Sequence, residues 1–150
     1  MRRPWPRILI VLLICTYCSL LEAAPRFLSQ AKLKQILTQQ GFSGGFSGKI
    51  QIKPLGIMTC GKRELQIYYY TWEETHPPSK TIHAAYRILL LNEAQEYLGQ
   101  YKVEGDHPTM RGTESLVFPY PESEGNRITC DRDGPPATVL LNGEQISFEK

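Results

Sequence analysis

The chain has 150 residues, a formal net charge of +2, four cysteines and 41% hydrophobic residues. This length suits one domain with a removable segment and argues against two full domains. The hydrophobic share is ordinary for a globular protein and argues against wholesale disorder. The small net charge does not indicate a nucleic-acid partner.

The first residues have the pattern of a secretory signal. Three arginines precede an uncharged apolar run at residues 8–21, and small residues follow it. The run is shorter than the ~20 residues that a membrane-spanning helix needs. We therefore expect a signal peptide at residues 1–23, cleavage after Ala23 and a single secreted or periplasmic domain at residues 24–150. An uncleaved membrane anchor is the alternative.

Cleavage would leave two cysteines, Cys60 and Cys130. Export delivers a protein to an oxidising compartment, where thiols pair. One intramolecular disulfide is the prediction, and closing a loop of about 70 residues would restrict the unfolded chain by about 4 kcal/mol. An intermolecular bond or two free thiols are the alternatives. Neither cysteine lies near a histidine in the sequence, which disfavours a catalytic thiol.

Charge is unevenly distributed along the expected mature chain. Residues 24–63 carry seven basic side chains and no acidic one, whereas residues 64–150 carry seven basic and fourteen acidic side chains. Packing of the basic front over the acidic remainder is the favoured interpretation. An acidic partner for the front is the alternative.

A helix is predicted at residues 28–40, followed by a Gly-rich linker at 41–48. Ser29 suits the N-cap and Gly41 the stop. The linker does not match the spacing of a nucleotide-binding loop, and we expect its two phenylalanines to anchor it. The helix is expected to pack on a sheet, with a membrane surface as the alternative. Its apolar side is formed by Leu33, Ile36 and Leu37.

Strand signals dominate the β region at residues 49–150. Pro54 either ends the first strand or marks a sheet edge, and Asn142-Gly143 predicts a tight hairpin. Residues 106–114 are expected to be a loop, and a helix is the alternative for residues 87–97. The fold class is α+β, mainly antiparallel β, with the N-terminal helix on a sheet or a small, partly closed barrel. Predicted strands are 50–52, 64–72, 81–91, 96–103, 115–118, 127–130, 137–141 and 144–149.

The strongest indication of a binding surface is a set of aromatic side chains on one predicted strand. In an extended strand, Tyr68, Tyr70 and Trp72 share one face, and Ile67 and Tyr69 share the other. Tyrosine and tryptophan are enriched where interfaces concentrate their binding energy, and they also stack on sugars. These three residues are the candidate binding site. Core packing beneath the helix is the alternative.

Evidence for catalysis or a metal is weak. His83 and His107 could serve a hydrolase, but no zinc-type spacing is present. The segment 131–134 resembles a fragment of a calcium loop, which Pro135-Pro136 interrupts. Paired carboxylates elsewhere suit solvated loops. We therefore expect no catalytic residue, metal or cofactor.

Together these patterns favour a small exported, non-enzymatic binding or inhibitor-type module. It would recognise a protein or a glycan outside the cytoplasm, with no nucleic-acid partner and no membrane span after processing. The alternatives are a small secreted hydrolase using His83 and His107, or a structural component of an envelope assembly.

Overall fold

The computed structural model describes residues 27–78, 80–105, 107–120 and 125–150. The expected signal peptide and the acidic pair Glu122 and Glu124 lie outside the described residues. The described elements are α1 (Gln30–Gln39), β1 (Lys49–Cys60), β2 (Arg63–Thr75), β3 (Ile82–Leu91), β4 (Tyr97–Val103), β5 (Thr109–Arg111), β6 (Ser115–Val117), β7 (Arg127–Thr129), β8 (Thr138–Leu141) and β9 (Glu144–Glu149).

The strands form two antiparallel sheets. The larger sheet has six strands in the order β1-β2-β3-β4-β9-β8, and the smaller has three in the order β5-β6-β7. The predicted class, α+β and mainly antiparallel β with one helix on a sheet, is confirmed. The partly closed barrel is wrong, because neither sheet closes on itself.

Helix α1 begins and ends where its capping residues require. The Ser29 hydroxyl accepts a hydrogen bond from the Lys32 backbone N–H at 3.3 Å, which satisfies one of the free donors of the first turn. After the helix, Gly41 adopts a φ of 80°, a conformation that glycine adopts without steric cost. The side chains that the helix buries are Leu33, Ile36 and Leu37.

The six-stranded sheet is apolar on both faces, because alternate side chains of a strand point to opposite sides. We call the face beneath α1 the helix face and the face packed on the smaller sheet the inner face. Buried sheet residues of the helix face are Ile52, Tyr68, Tyr70, Leu89, Leu91 and Tyr97. Those of the inner face are Met58, Cys60, Leu65, Ile67, Tyr69, Ile88, Leu90, Tyr101, Val139 and Leu141.

A disulfide joins the two sheets at one end of the molecule. Cys60 is the last residue of β1, Cys130 directly follows β7, and their Cα atoms are 5.0 Å apart. The predicted intramolecular pairing is therefore confirmed. The bond fixes the β1–β2 turn against the segment that follows β7.

Candidate functional site

The structure places the three predicted ring residues in different environments. Tyr68 and Tyr70 are fully buried on the helix face, where α1 and the segment 41–48 cover them. The Tyr68 hydroxyl accepts from the Leu28 backbone N–H at 3.0 Å. Tyr68 and Tyr70 are therefore core residues, as the alternative interpretation of this face describes. Trp72 is the member of the three that reaches the surface, and it is partly exposed.

Three side chains of the sheet bind the Gly-rich segment 41–48 to the helix face. The Tyr70 hydroxyl donates to the Gly45 carbonyl, and the Trp72 indole N–H donates to the Ser47 carbonyl at 2.6 Å. The Gln100 amide nitrogen donates to the Ser43 hydroxyl at 3.0 Å. The segment connects α1 to β1 as expected, but it is held by these hydrogen bonds in addition to its phenylalanines.

The helix and this segment cover only part of the helix face. Trp72 lies opposite Ala85 on β3, and Arg87 lies between Tyr70 on β2 and Lys102 on β4. The uncovered part, which we call the open face, includes Trp72, Glu74, His83, Ala85, Arg87 and Lys102. His83 and Lys102 are exposed, and the other four residues are partly exposed.

Arg87 carries a charge that its surroundings compensate incompletely. Its Nε and Nη1 atoms are buried without a hydrogen-bond partner among the described residues. The guanidinium carbon lies 5.5 Å from the centre of the Phe42 ring, a cation–π arrangement. Burial raises the pKa of the Tyr97 hydroxyl, an effect that the nearby Arg87 charge opposes. A partly buried cation without a carboxylate partner attracts an anion.

The neighbouring cation, Lys102, is compensated. Its ammonium group lies 2.8 Å from a carboxylate oxygen of Glu149, with both side chains largely in solvent. An exposed pair of this kind is weak and exchanges readily with other charged groups. The open face therefore combines an indole ring, the small side chain of Ala85, two cations and the Glu74 carboxylate, which lies 3.4 Å from His76 Nε2. Beside the indole, the two cations suit a flat, partly anionic ligand.

The structure does not bring the two candidate catalytic histidines together. His83 lies on the helix face, where its ring centre is 5.3 Å from that of His76. His107 contacts the ring of Tyr69, at 5.3 Å between centres, and Tyr69 belongs to the inner face. The two imidazoles thus lie on opposite sides of the sheet, which is incompatible with a shared catalytic pocket.

Within the described residues, no three His, Cys, Asp or Glu side chains are grouped closely enough to hold a metal ion. Asp131 and Gly134 instead pair through two backbone hydrogen bonds that close a tight turn. Asp133 in that turn lines a cleft of about 580 Å³ beside the disulfide. Sequence reasoning missed this cleft because its walls come from two turns that are far apart in the chain.

No family model, curated protein or solved structure matches this chain. Among the described residues, no helix is long and apolar enough to cross a membrane.

Proposed function

We propose that the mature protein is a non-enzymatic binding module that recognises an acidic glycan outside the cytoplasm through the open face. The observation that carries the proposal is the partly exposed Trp72 ring beside the incompletely compensated Arg87 guanidinium. An indole offers a sugar ring a flat apolar surface, and the positive charge of Arg87, which no hydrogen bond to its Nε or Nη1 compensates among the described residues, attracts the carboxylate of an acidic sugar.

The position of Trp72 supports a binding role because its ring is already fixed. Its N–H is bonded to the Ser47 carbonyl, so little side-chain freedom remains to be lost on binding. Ala85, directly opposite on β3, projects only a methyl group beside the indole. A ligand ring could therefore lie flat there, with its acidic group toward Arg87.

The proposed location outside the cytoplasm has two supports. The leading sequence has the pattern of an export signal, and a disulfide joins Cys60 to Cys130. Disulfides of this kind persist in oxidising compartments and are rare in the cytosol.

The test is binding of exported, processed protein to polygalacturonate, measured by calorimetry at low salt, with uncharged dextran as the comparison. We expect polygalacturonate to bind and both Trp72→Ala and Arg87→Gln to weaken it by about tenfold or more, or about 1.4 kcal/mol. Trp72→Phe keeps an aromatic surface and should retain most of the affinity. Leu140→Ala is the control, because Leu140 is exposed on the opposite edge strand, β8.

Equal affinity of the parent protein and the Trp72→Ala variant would contradict the proposed site. Absence of polygalacturonate binding, together with Trp72-dependent capture of a protein from the native compartment, would replace the glycan with a protein ligand. Circular dichroism of each variant establishes that the fold is retained.

A further inference from the structure

The cleft beside the disulfide is built from two tight turns that face each other. One turn, Gly61-Lys62, joins β1 to β2 between the paired residues Cys60 and Arg63. The other, Arg132-Asp133, is closed by the backbone pair Asp131–Gly134. Both turns are short and hydrogen-bonded, so each holds its side chains in a defined place.

Two contacts fix these turns relative to each other. The Cys60–Cys130 disulfide links the residues that precede them. In addition, a Cβ atom at Gly61 would lie 2.7 Å from the Arg132 carbonyl oxygen, so the two backbones are in direct contact. The walls of the cleft are therefore rigid, which lowers the entropic cost of ordering them around a ligand.

The lining of the cleft is strongly cationic. Lys62, Arg63 and Arg132 contribute three positive charges, and Asp133 contributes one negative charge. All four residues are exposed, and none of them takes part in an ion pair within the described part of the chain. The fold has thus gathered like charges around one opening with only partial neutralisation.

The cationic cleft contains part of the basic front of the sequence, whose side chains mostly lack acidic partners among the described residues. Of the basic residues between 27 and 63, only Lys49 pairs with an acidic side chain of the described residues, Glu73, at 3.5 Å. The expected pairing of the basic front with the acidic remainder is therefore limited to one exposed contact. Lys62 and Arg63, at the end of the front, instead meet a third cation, Arg132.

We propose that this cleft binds a tetrahedral oxyanion, a phosphate or sulfate group. Three cationic side chains come from two turns, and a tetrahedral oxyanion offers them several oxygens in different directions, whereas a planar carboxylate is satisfied by one guanidinium. Among the described residues, no aromatic side chain lines the cleft, so charge decides binding. Because Arg63 and Trp72 are separated by nine residues of one strand, or about 30 Å, the site is independent of the open face.

The test uses two probes on the intact, oxidised protein at low salt: inorganic pyrophosphate for a free anion and dextran sulfate for a chain-borne one. We expect Lys62→Gln/Arg63→Gln/Arg132→Gln to weaken binding by about tenfold or more. The control, Lys32→Gln/Lys34→Gln/Lys80→Gln, removes the same charge away from the cleft and should change the affinity by less than about twofold.

Asp133→Asn should change the affinity for pyrophosphate in the opposite direction. Removing this carboxylate from the cleft should tighten pyrophosphate binding by about twofold to fivefold, a gain that a misfolded variant could not produce. Binding of pyrophosphate alone identifies a free anion as the ligand, and binding of dextran sulfate alone identifies a chain-borne sulfate.

The proposal is overturned if neither probe binds. It is also overturned if the cleft variant and the control variant lose affinity equally, since binding would then reflect overall charge. Polygalacturonate binding to the open face should be unchanged in the cleft variant, and pyrophosphate binding should be unchanged by Trp72→Ala. A failure of one site is therefore distinguishable from a failure of the other.

Discussion

Two buried tyrosines of β4 differ in what their hydroxyl groups contact. The Tyr101 hydroxyl donates to the Pro136 carbonyl at 2.6 Å, whereas the Tyr97 hydroxyl has no hydrogen-bond partner among the described residues. We expect Tyr101→Phe to lower the free energy of unfolding by about 1–2 kcal/mol, because it also leaves the carbonyl unsatisfied. Tyr97→Phe should change it by less than about 0.5 kcal/mol. Urea denaturation measures both, and equal losses would contradict this assignment.

Two glycines with similar backbone angles differ in their surroundings. Gly61 has a φ of 63° and lies against the Arg132 backbone, whereas Gly112 has a φ of 61° and would place a Cβ in open space. Gly112→Ala should therefore cost only the left-handed conformation, about 1 kcal/mol. Gly61→Ala should cost about 1–3 kcal/mol more, because backbone must move. Thermal unfolding of both variants tests this, and similar melting temperatures would show that the turns do not press together.

At the residue scale, the sequence predicted which cysteines pair and which aromatic residues share a face, but it did not predict which side chains are exposed. Counting the cysteines that would remain after the expected signal peptide predicted the pairing of Cys60 with Cys130, which the structure shows. Strand alternation placed Tyr68, Tyr70 and Trp72 on one face, as observed. It could not predict which of them are covered, because that depends on where α1 and the segment 41–48 pack. The sequence also could not predict that the charge of Arg87 is incompletely compensated, since that depends on neighbours from three separate segments.

At the scale of elements, the disulfide is the strongest single link between the two sheets. Cys60 and Cys130 are 70 residues apart in sequence, and the chain-entropy model gives a stabilisation of about 4 kcal/mol for a loop of this length. Replacing both cysteines by alanine should lower the free energy of unfolding by roughly 2–5 kcal/mol. Chemical denaturation of the variant, compared with the parent protein in the presence and absence of a reductant, is the measurement.

The variant without cysteines also provides its own control. Reductant should destabilise the parent protein and leave the variant unaffected. An unchanged denaturation midpoint for the reduced parent would show that contacts between the sheets, rather than the disulfide, hold this end of the molecule together.

Elements with a clear pattern in their own sequence were predicted well. Elements whose existence or length depends on pairing with another strand were not. The helix, with Ser29 as its cap, was confirmed, as was the final hairpin at Asn142-Gly143, where both residues adopt positive φ. Strand β1 continues through Pro54 because it is an edge strand, and its register with β2 shifts between Pro54 and Gly56. Strand β5 lies within the expected loop, since three residues carry no pattern and its pairing to β6 alone defines it.

At the scale of the whole molecule, the side chains that alternate between the two faces of β2 and β3 were the best predictor of the layered architecture. Both faces of these strands are apolar, which requires a layer on each side, and α1 and the smaller sheet supply those layers. The sequence could not exclude a barrel, because closure depends on whether the edge strands meet. Here β1 and β8 remain at opposite edges of the larger sheet.

The buried tyrosines should also determine how the whole molecule responds to alkaline pH. Burial raises the pKa of Tyr68, Tyr70, Tyr97 and Tyr101 above the ordinary value of 10.0. The folded state therefore retains protons that the unfolded state releases, so the contribution of these tyrosines to the free energy of unfolding should be constant below about pH 9 and fall as pH rises beyond 10.

Absorbance at 295 nm, which reports tyrosinate, tests this expectation. In the folded protein, these four tyrosines should ionise only above their ordinary pKa of 10.0, as the protein unfolds. In urea, all tyrosines should ionise together near pH 10. Tyr97→Phe removes one late-ionising group without removing a hydrogen bond to any described residue, so it should reduce the absorbance change that accompanies unfolding at alkaline pH. Complete ionisation near pH 10 in protein that keeps its native circular dichroism would contradict the burial of these four rings.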